Sequence, residues 1–271
     1  MPVDRRIQAI RKDLADVRLA ERAFAPHYAA AVTRGIALQT PLYADHHGEA
    51  PPLSEVLPGD RFEMLELSGD HAWGICVTDG AVGYVPVETL CDPVSCTHVV
   101  AIASTPVHAT PHADGPVVGA LPMDARVEMH MPVAFAQVAL GYVDATALRP
   151  IDVPATDVAA VAEALVGVPF RAGGRSGTGV DAGGLLFLAC DMTGVRIPRF
   201  LDLQAASVGM PLDSGAMLQR GDLVYFQDHA TIMVNEAEAI HVNDMSVEQV
   251  SLETLIASGR YGPVLARRRI A

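Results

Sequence analysis

The sequence is short of positive charge, because 19 lysine and arginine residues stand against 32 aspartate and glutamate residues, for a net charge of -13 at pH 7. Binding to nucleic acid or to an anionic wall polymer without sequence preference needs a basic face. The composition therefore argues against both kinds of partner and leaves small peptides as the expected ligands. With 50% hydrophobic residues, the chain can still bury globular cores.

Long apolar runs are also missing. The first 14 residues alternate charged and apolar side chains and contain no apolar core of a secretory signal. No later window approaches the roughly 20 apolar residues that a membrane-spanning helix needs. We therefore expect a cytoplasmic protein without a membrane partner.

Cysteine is scarce and unpatterned, since the chain has only 4 cysteines. Cys91 and Cys96 are close enough in sequence to pair or to bind a metal, but no second Cys or His pair at zinc-finger spacing accompanies them. Few, scattered cysteines are typical of free thiols in a reducing compartment. The sequence therefore predicts free thiols, no metal and no cofactor.

The N-terminal part of the chain contains an internal repeat, which indicates two copies of one small domain. The matching segments are 40–44 with 105–109, 57–60 with 121–124, and 83–90 with 141–148. Short alternating runs at 61–67, 72–78 and 135–143 predict strands of a small β-barrel in each copy. Each copy ends in Gly-Tyr-Val and a nearby leucine, and in this it resembles bacterial SH3-like domains.

The order of these features predicts the domain organisation. Residues 1–30 have apolar side chains at roughly helical spacing and are predicted to form an N-terminal helical arm. The two SH3-like domains are predicted at residues 31–92 and 98–150. A proline-bounded linker follows, and residues 155–271 are predicted to form one further domain.

That last domain contains a glycine-rich stretch between residues 168 and 190. Its four glycines at positions 173, 174, 177 and 179 indicate a loop. Asp181 can cap the helix that follows, and the run from 185 to 188 is too apolar for a surface helix. Ala182 then lies at the positive end of the helix dipole, where an anion such as a thiolate is stabilised.

This stretch resembles the NlpC family of papain-like cysteine peptidases, which act on bacterial cell-wall peptides. In that family the nucleophilic cysteine directly follows the aspartate, whereas this chain has Ala182. The resemblance implies an α+β fold, with a papain-like C-terminal domain preceded by two small SH3-like β-barrels. It also implies that the protein as written lacks its nucleophile.

The resemblance implies roles for other residues as well. His229 follows a Gly-Asp-Leu-Val segment as the family's catalytic base does, and His241 matches the residue that orients the base. Either histidine alone is more often a structural residue. Asp181 is implied as an anchor for the free amine of the substrate, because a carboxylate accepts charge-assisted hydrogen bonds, and it can also be a plain helix cap. Gly183 and Phe170 complete the implied substrate-binding residues.

Cys190 does not replace the missing nucleophile, because it lies eight residues along the same helix, about 12 Å further by helical rise. Two explanations for Ala182 stay open. One is an engineered Cys-to-Ala change. The other is natural divergence, in which Phe170 also stands where the family has a tyrosine and Ala172 where it usually has an aromatic residue.

The implied function is that of a murein-peptide endopeptidase scaffold, which in the active family cleaves the bond between γ-D-glutamate and an L-diamino acid during murein recycling. The form with Ala182 is expected to bind short murein-derived peptides with a free N-terminus and to leave them intact. The alternative is a non-catalytic pseudoenzyme that acts as a peptide-binding or regulatory module.

Overall fold

The computed structural model describes residues 3–130 and 134–270. The small parts of the predicted domains 1–30, 98–150 and 155–271 that fall on residues 1–2, 131–133 and 271 lie outside the described residues. We refer to residues 32–91 as the first β unit, residues 98–150 as the second β unit and residues 155–270 as the C-terminal unit. Each unit has its own hydrophobic cluster.

The N-terminal arm differs from the predicted helix. Its described elements are β1 (Leu14–Asp16), a 3-10 turn (Val17–Leu19) and β2 (His27–Ala29), and β1 pairs with β2 in parallel. The Asp16 carboxylate accepts from the backbone N–H of Arg18, which turns the chain. The backbone N–H of Val82 donates to Arg6 O at 2.7 Å, and Ala9 packs with Trp73. These contacts with the first β unit outweigh the weak helical pattern.

The first β unit consists of antiparallel strands around a small apolar core. Its strands are β3 (Val32–Ile36), β4 (Thr40–Leu42), β5 (Ser54–Val56), β6 (Arg61–Ser68), β7 (His71–Cys76), β8 (Val82–Pro86) and β9 (Leu90–Cys91). One sheet has the order β8-β7-β6-β3-β9, and β4 pairs with β5. The strands predicted at 61–67 and 72–78 are confirmed as β6 and β7.

The second β unit is built in a similar way from two smaller sheets. Its strands are β10 (His98–Val100), β11 (Ser104–His108), β12 (Val117–Pro122), β13 (Arg126–Val127), β14 (Phe135–Val138), β15 (Gly141–Asp144) and β16 (Leu148–Pro150). The sheet orders are β13-β10-β16 and β12-β11-β15-β14. The run predicted at 135–143 is a hairpin of β14 and β15, and Gly141 permits it with a φ of 147°.

The C-terminal unit packs a buried helix against a six-stranded sheet with the order β19-β24-β20-β21-β22-β23. Its elements are α1 (Val158–Glu163), β17 (Arg175–Ser176), β18 (Gly179–Val180), α2 (Ala182–Met192), α3 (Leu201–Ser207), β19 (Met210–Pro211), β20 (Leu223–Tyr225), β21 (Ala230–Met233), β22 (Glu238–Val242), β23 (Val247–Ser251), α4 (Leu252–Ala257) and β24 (Ala266–Arg269). Helix α2 is apolar on almost every side because it lies inside this core. No helix among the described residues is long and apolar enough to span a membrane.

A buried arginine joins the three units. Arg175 in the glycine-rich loop is 0% exposed, and its guanidinium forms ion pairs with Asp60, Asp79 and Asp124. Its Nη1 lies 2.8 Å from Asp124 Oδ2, and its Nε donates to the carbonyl of Glu55 at 3.0 Å. Asp60 and Asp124 occupy equivalent positions of the sequence repeat, so both copies hold the loop through the same side chain.

Candidate functional site

The site begins where the glycine-rich loop meets helix α2. The Asp181 carboxylate accepts from the backbone N–H of Gly184 at 2.7 Å and so caps the helix, as predicted. Ala182 is the first helical residue and is 8% exposed. The loop approaches the helix so closely that a Cβ on Gly184 would lie 1.9 Å from Gly174 O. This tight packing fixes the position of residue 182.

Asp181 has partners besides the helix. Its Oδ2 accepts from the backbone N–H of Gly173 at 3.0 Å and from Arg199 Nη2 at 2.7 Å. The Arg199 side chain is buried, whereas the Asp181 side chain is 25% exposed, so only the arginine end of this ion pair is shielded from water. Gln204 is also buried and donates from Nε2 to Gly183 O at 3.1 Å. The start of α2 is therefore held from both sides.

Two histidines and a glutamate form a hydrogen-bonded row across strands β21 to β23. His229 directly precedes β21, and its Nε2 lies 2.9 Å from His241 Nδ1. His241 Nε2 lies 3.1 Å from Glu248 Oε1, because His241 on β22 and Glu248 on β23 are directly opposite in the antiparallel register. The base and orienting residue implied by the resemblance are thus hydrogen-bonded to each other.

The surroundings keep both imidazoles neutral at pH 7. Burial, together with charge repulsion from His241 and Arg260, lowers the pKa of His229 to about 3. Burial also lowers the pKa of His241, although the carboxylate of Glu248 opposes this effect. The ring of Tyr261 stacks on His229 at a centroid distance of 3.7 Å and covers one of its faces.

A cavity of about 540 Å³ opens beside these groups and is bordered by five of the six predicted site residues. These residues are Phe170, Asp181, Ala182, Gly183 and His229. The sixth, His241, lies behind His229. Phe170 is 45% exposed, and the first β unit contributes Pro52 and Leu53 to the wall. A larger cavity of about 690 Å³, between the arm and the first β unit, contains none of the predicted site residues.

Three residues of the site were not predicted from the sequence. Glu248 could not be recognised without knowing which residue lies opposite His241 on the next strand. Tyr261 is 32 positions from His229 in the sequence, and its stacking has no sequence signal. Arg199 is 18 positions from Asp181 in the sequence, and no sequence pattern predicts their ion pair.

Neither Cys190 nor a metal ion supplies the missing chemistry among the residues that the structure describes. Cys190 is buried, and burial raises the pKa of its thiol to about 12, which removes it as a nucleophile. All four cysteines are free thiols, as predicted. Within residues 3–130 and 134–270, no group of three or more His, Cys, Asp or Glu side chains could hold a metal ion.

Comparison with known proteins gave matches to one family. Residues 167–264 match the sequence profile of the NlpC/P60 family. An NlpC/P60 family protein from Bacillus cereus ATCC 10987 is similar in structure, with a TM-score of 0.75 and 16% sequence identity, over 88% of this chain and 99% of that chain. Comparison with curated proteins gave no match.

Two further solved structures are more distant. NlpC2 from Trichomonas vaginalis has a TM-score of 0.45 at 14% identity, over 89% of this chain and 98% of that chain. RipB, a peptidoglycan hydrolase from Mycobacterium tuberculosis, has a TM-score of 0.34 at 23% identity, over 42% of this chain and 62% of that chain.

The likeness to the Bacillus cereus protein extends through all three units, and at this identity it concerns the fold alone. The matched range contains the glycine-rich loop, Ala182 and both histidines of the hydrogen-bonded row. Residues 167–264 thus form an NlpC/P60 family domain, in a chain of mixed α/β content that has many strands and few helices.

Proposed function

We propose that the protein binds short peptides derived from the bacterial cell wall in the cavity beside Ala182 and does not hydrolyse them. The observation that carries this proposal is an open cavity bordered by His229, which is hydrogen-bonded to His241, and by the methyl group of Ala182. The NlpC/P60 family includes peptidoglycan hydrolases, which supports cell-wall peptides as the ligand class.

The proposed inactivity follows from chemistry. A cysteine peptidase forms a covalent acyl-enzyme through a thiolate, and a methyl group cannot attack a carbonyl carbon. His229 has no thiol to deprotonate.

The ligand enters by a short cleft in this proposal. Asp181 receives the free N-terminal amine, since its Oδ1 accepts one hydrogen bond, from Gly184, and retains lone-pair capacity. The two β units act as SH3-like domains, and Pro52 and Leu53 of the first close one end of the cleft. A closed end selects short peptides over polymeric wall.

A second candidate is a regulatory module that uses the cavity for another partner. Ala182 favours this candidate because a regulatory module needs no nucleophile. The cavity of such a module would not need to bind the peptide that active relatives cleave. Peptide binding separates the two, because the regulatory module is expected to ignore a murein tripeptide.

The test is calorimetric titration of the protein with L-Ala-γ-D-Glu-diaminopimelate, followed by chromatography of the recovered peptide. We expect saturable binding, intact peptide and weaker binding after N-acetylation. Ala182→Cys adds a single sulfur atom to a side chain already in place and is expected to introduce hydrolysis. The matched control is Ala182→Cys with His229→Ala, which should not cleave. Absence of binding by the unaltered protein would refute the proposal.

A further inference from the structure

The direction of the hydrogen bonds in the row formed by His229, His241 and Glu248 follows from its last member. An ionised carboxylate has no N–H or O–H and can only accept. At 3.1 Å from Glu248 Oε1, Nε2 of His241 must therefore carry the proton. A neutral imidazole has one N–H, so Nδ1 of His241 is left as an acceptor.

The same reasoning fixes the next ring. Nδ1 of His241 lies 2.9 Å from Nε2 of His229, and since it accepts, Nε2 of His229 must donate. Nδ1 of His229 then holds a lone pair. In the part of the chain that the structure describes, this nitrogen makes no hydrogen bond, while His229 is 4% exposed and borders the cavity.

The reverse arrangement needs an extra proton. If His241 donated from both nitrogens it would be an imidazolium, and burial disfavours that charge. The groups facing the row include Arg260, whose charge also disfavours a cation on either ring, together with Asp244 and the neutral face of Tyr261. The row of two neutral rings is therefore the arrangement that the surroundings support.

We propose that Glu248 is a positioning residue that acts through His241 to hold His229 with its proton on Nε2 and its Nδ1 directed to the ligand as a hydrogen-bond acceptor. In a cysteine peptidase the thiol of the nucleophile would donate a hydrogen bond to that lone pair. Because residue 182 is alanine, the ligand itself must supply the donor, and this consequence rests on the proposed function.

The expected donor is an amide N–H or an ammonium group rather than a carboxylate. The cavity wall includes four aspartates, Asp181, Asp202, Asp228 and Asp244, against two arginines, Arg6 and Arg199. Arg199 is paired with Asp181, Arg6 with Asp202, and Arg260 with Asp244. Within the described residues Asp228 has no such partner, so the wall near His229 offers acceptors to a ligand.

The test is the histidine tautomer, read from two-bond proton–nitrogen spectra of 15N-histidine-labelled protein at neutral pH. We expect the Nε2-protonated form of His229. Glu248→Gln keeps an acceptor oxygen and should preserve this pattern. Glu248→Lys replaces the acceptor by a donor, which should move the proton of His241 to Nδ1 and that of His229 to Nδ1.

The matched control is Glu238→Lys, a partly buried glutamate on β22 that is opposite Ser251 and not in the row. It should leave both tautomers unchanged. Glu248→Lys should also weaken peptide binding by about fivefold, the equivalent of one neutral hydrogen bond. A proton on Nδ1 of His229 in the unaltered protein, or unchanged tautomers in Glu248→Lys, would overturn the inference. Both tautomer measurements are made without a ligand, so their outcome does not depend on whether the protein binds the peptide.

Discussion

Replacing Arg175 by methionine tests whether one buried side chain holds the three units together. Arg175 is 0% exposed, and its three aspartate partners come from both β units. Methionine has a similar length and no charge, so Arg175→Met leaves Asp60, Asp79 and Asp124 buried without their shared cation. Breaking a buried ion pair in this way costs about 3–5 kcal/mol.

For a chain of this size that loss corresponds to a fall in melting temperature of roughly 6–20 °C. The assay is differential scanning fluorimetry at pH 7, together with hydrogen exchange across residues 173–181. The matched control is Arg196→Met, at an exposed arginine of the same unit. A fall of less than about 2 °C, or equal effects of the two substitutions, would refute the reasoning.

Two further predictions concern single side chains. Asp181→Ala removes a helix cap and leaves Arg199 buried without its partner, and we expect a loss of about 3–5 kcal/mol in denaturant titrations. Tyr261→Ala uncovers one face of His229 and should raise the pKa of that imidazole above about 3 in an NMR titration.

Local signals in the sequence predicted much of the site. Glycines and an aspartate before an apolar run predicted the loop and the start of α2, because turn and capping preferences depend on neighbouring residues. Strands β6 and β7 were predicted for the same reason, from alternating side chains. Free thiols were correctly predicted from the sparse cysteines.

Contacts between distant segments could not be predicted in this way. The arm has a weak helical pattern, and its contacts with Trp73 and Val82 of the first β unit determine its real form. Glu248 joins the row only through the register of β22 and β23. Convergence of Asp60 and Asp124 on Arg175 also depends on how the repeated units pack, although the repeat itself was visible.

The most direct measurement of the central claim is a crystal structure of the protein with L-Ala-γ-D-Glu-diaminopimelate bound. The account predicts an intact peptide in the cavity, with its γ-glutamyl carbonyl carbon next to the methyl group of Ala182, its N-terminal amine at Asp181 and an N–H group at Nδ1 of His229. A peptide bound elsewhere, or a cleaved peptide in the cavity, would contradict the account.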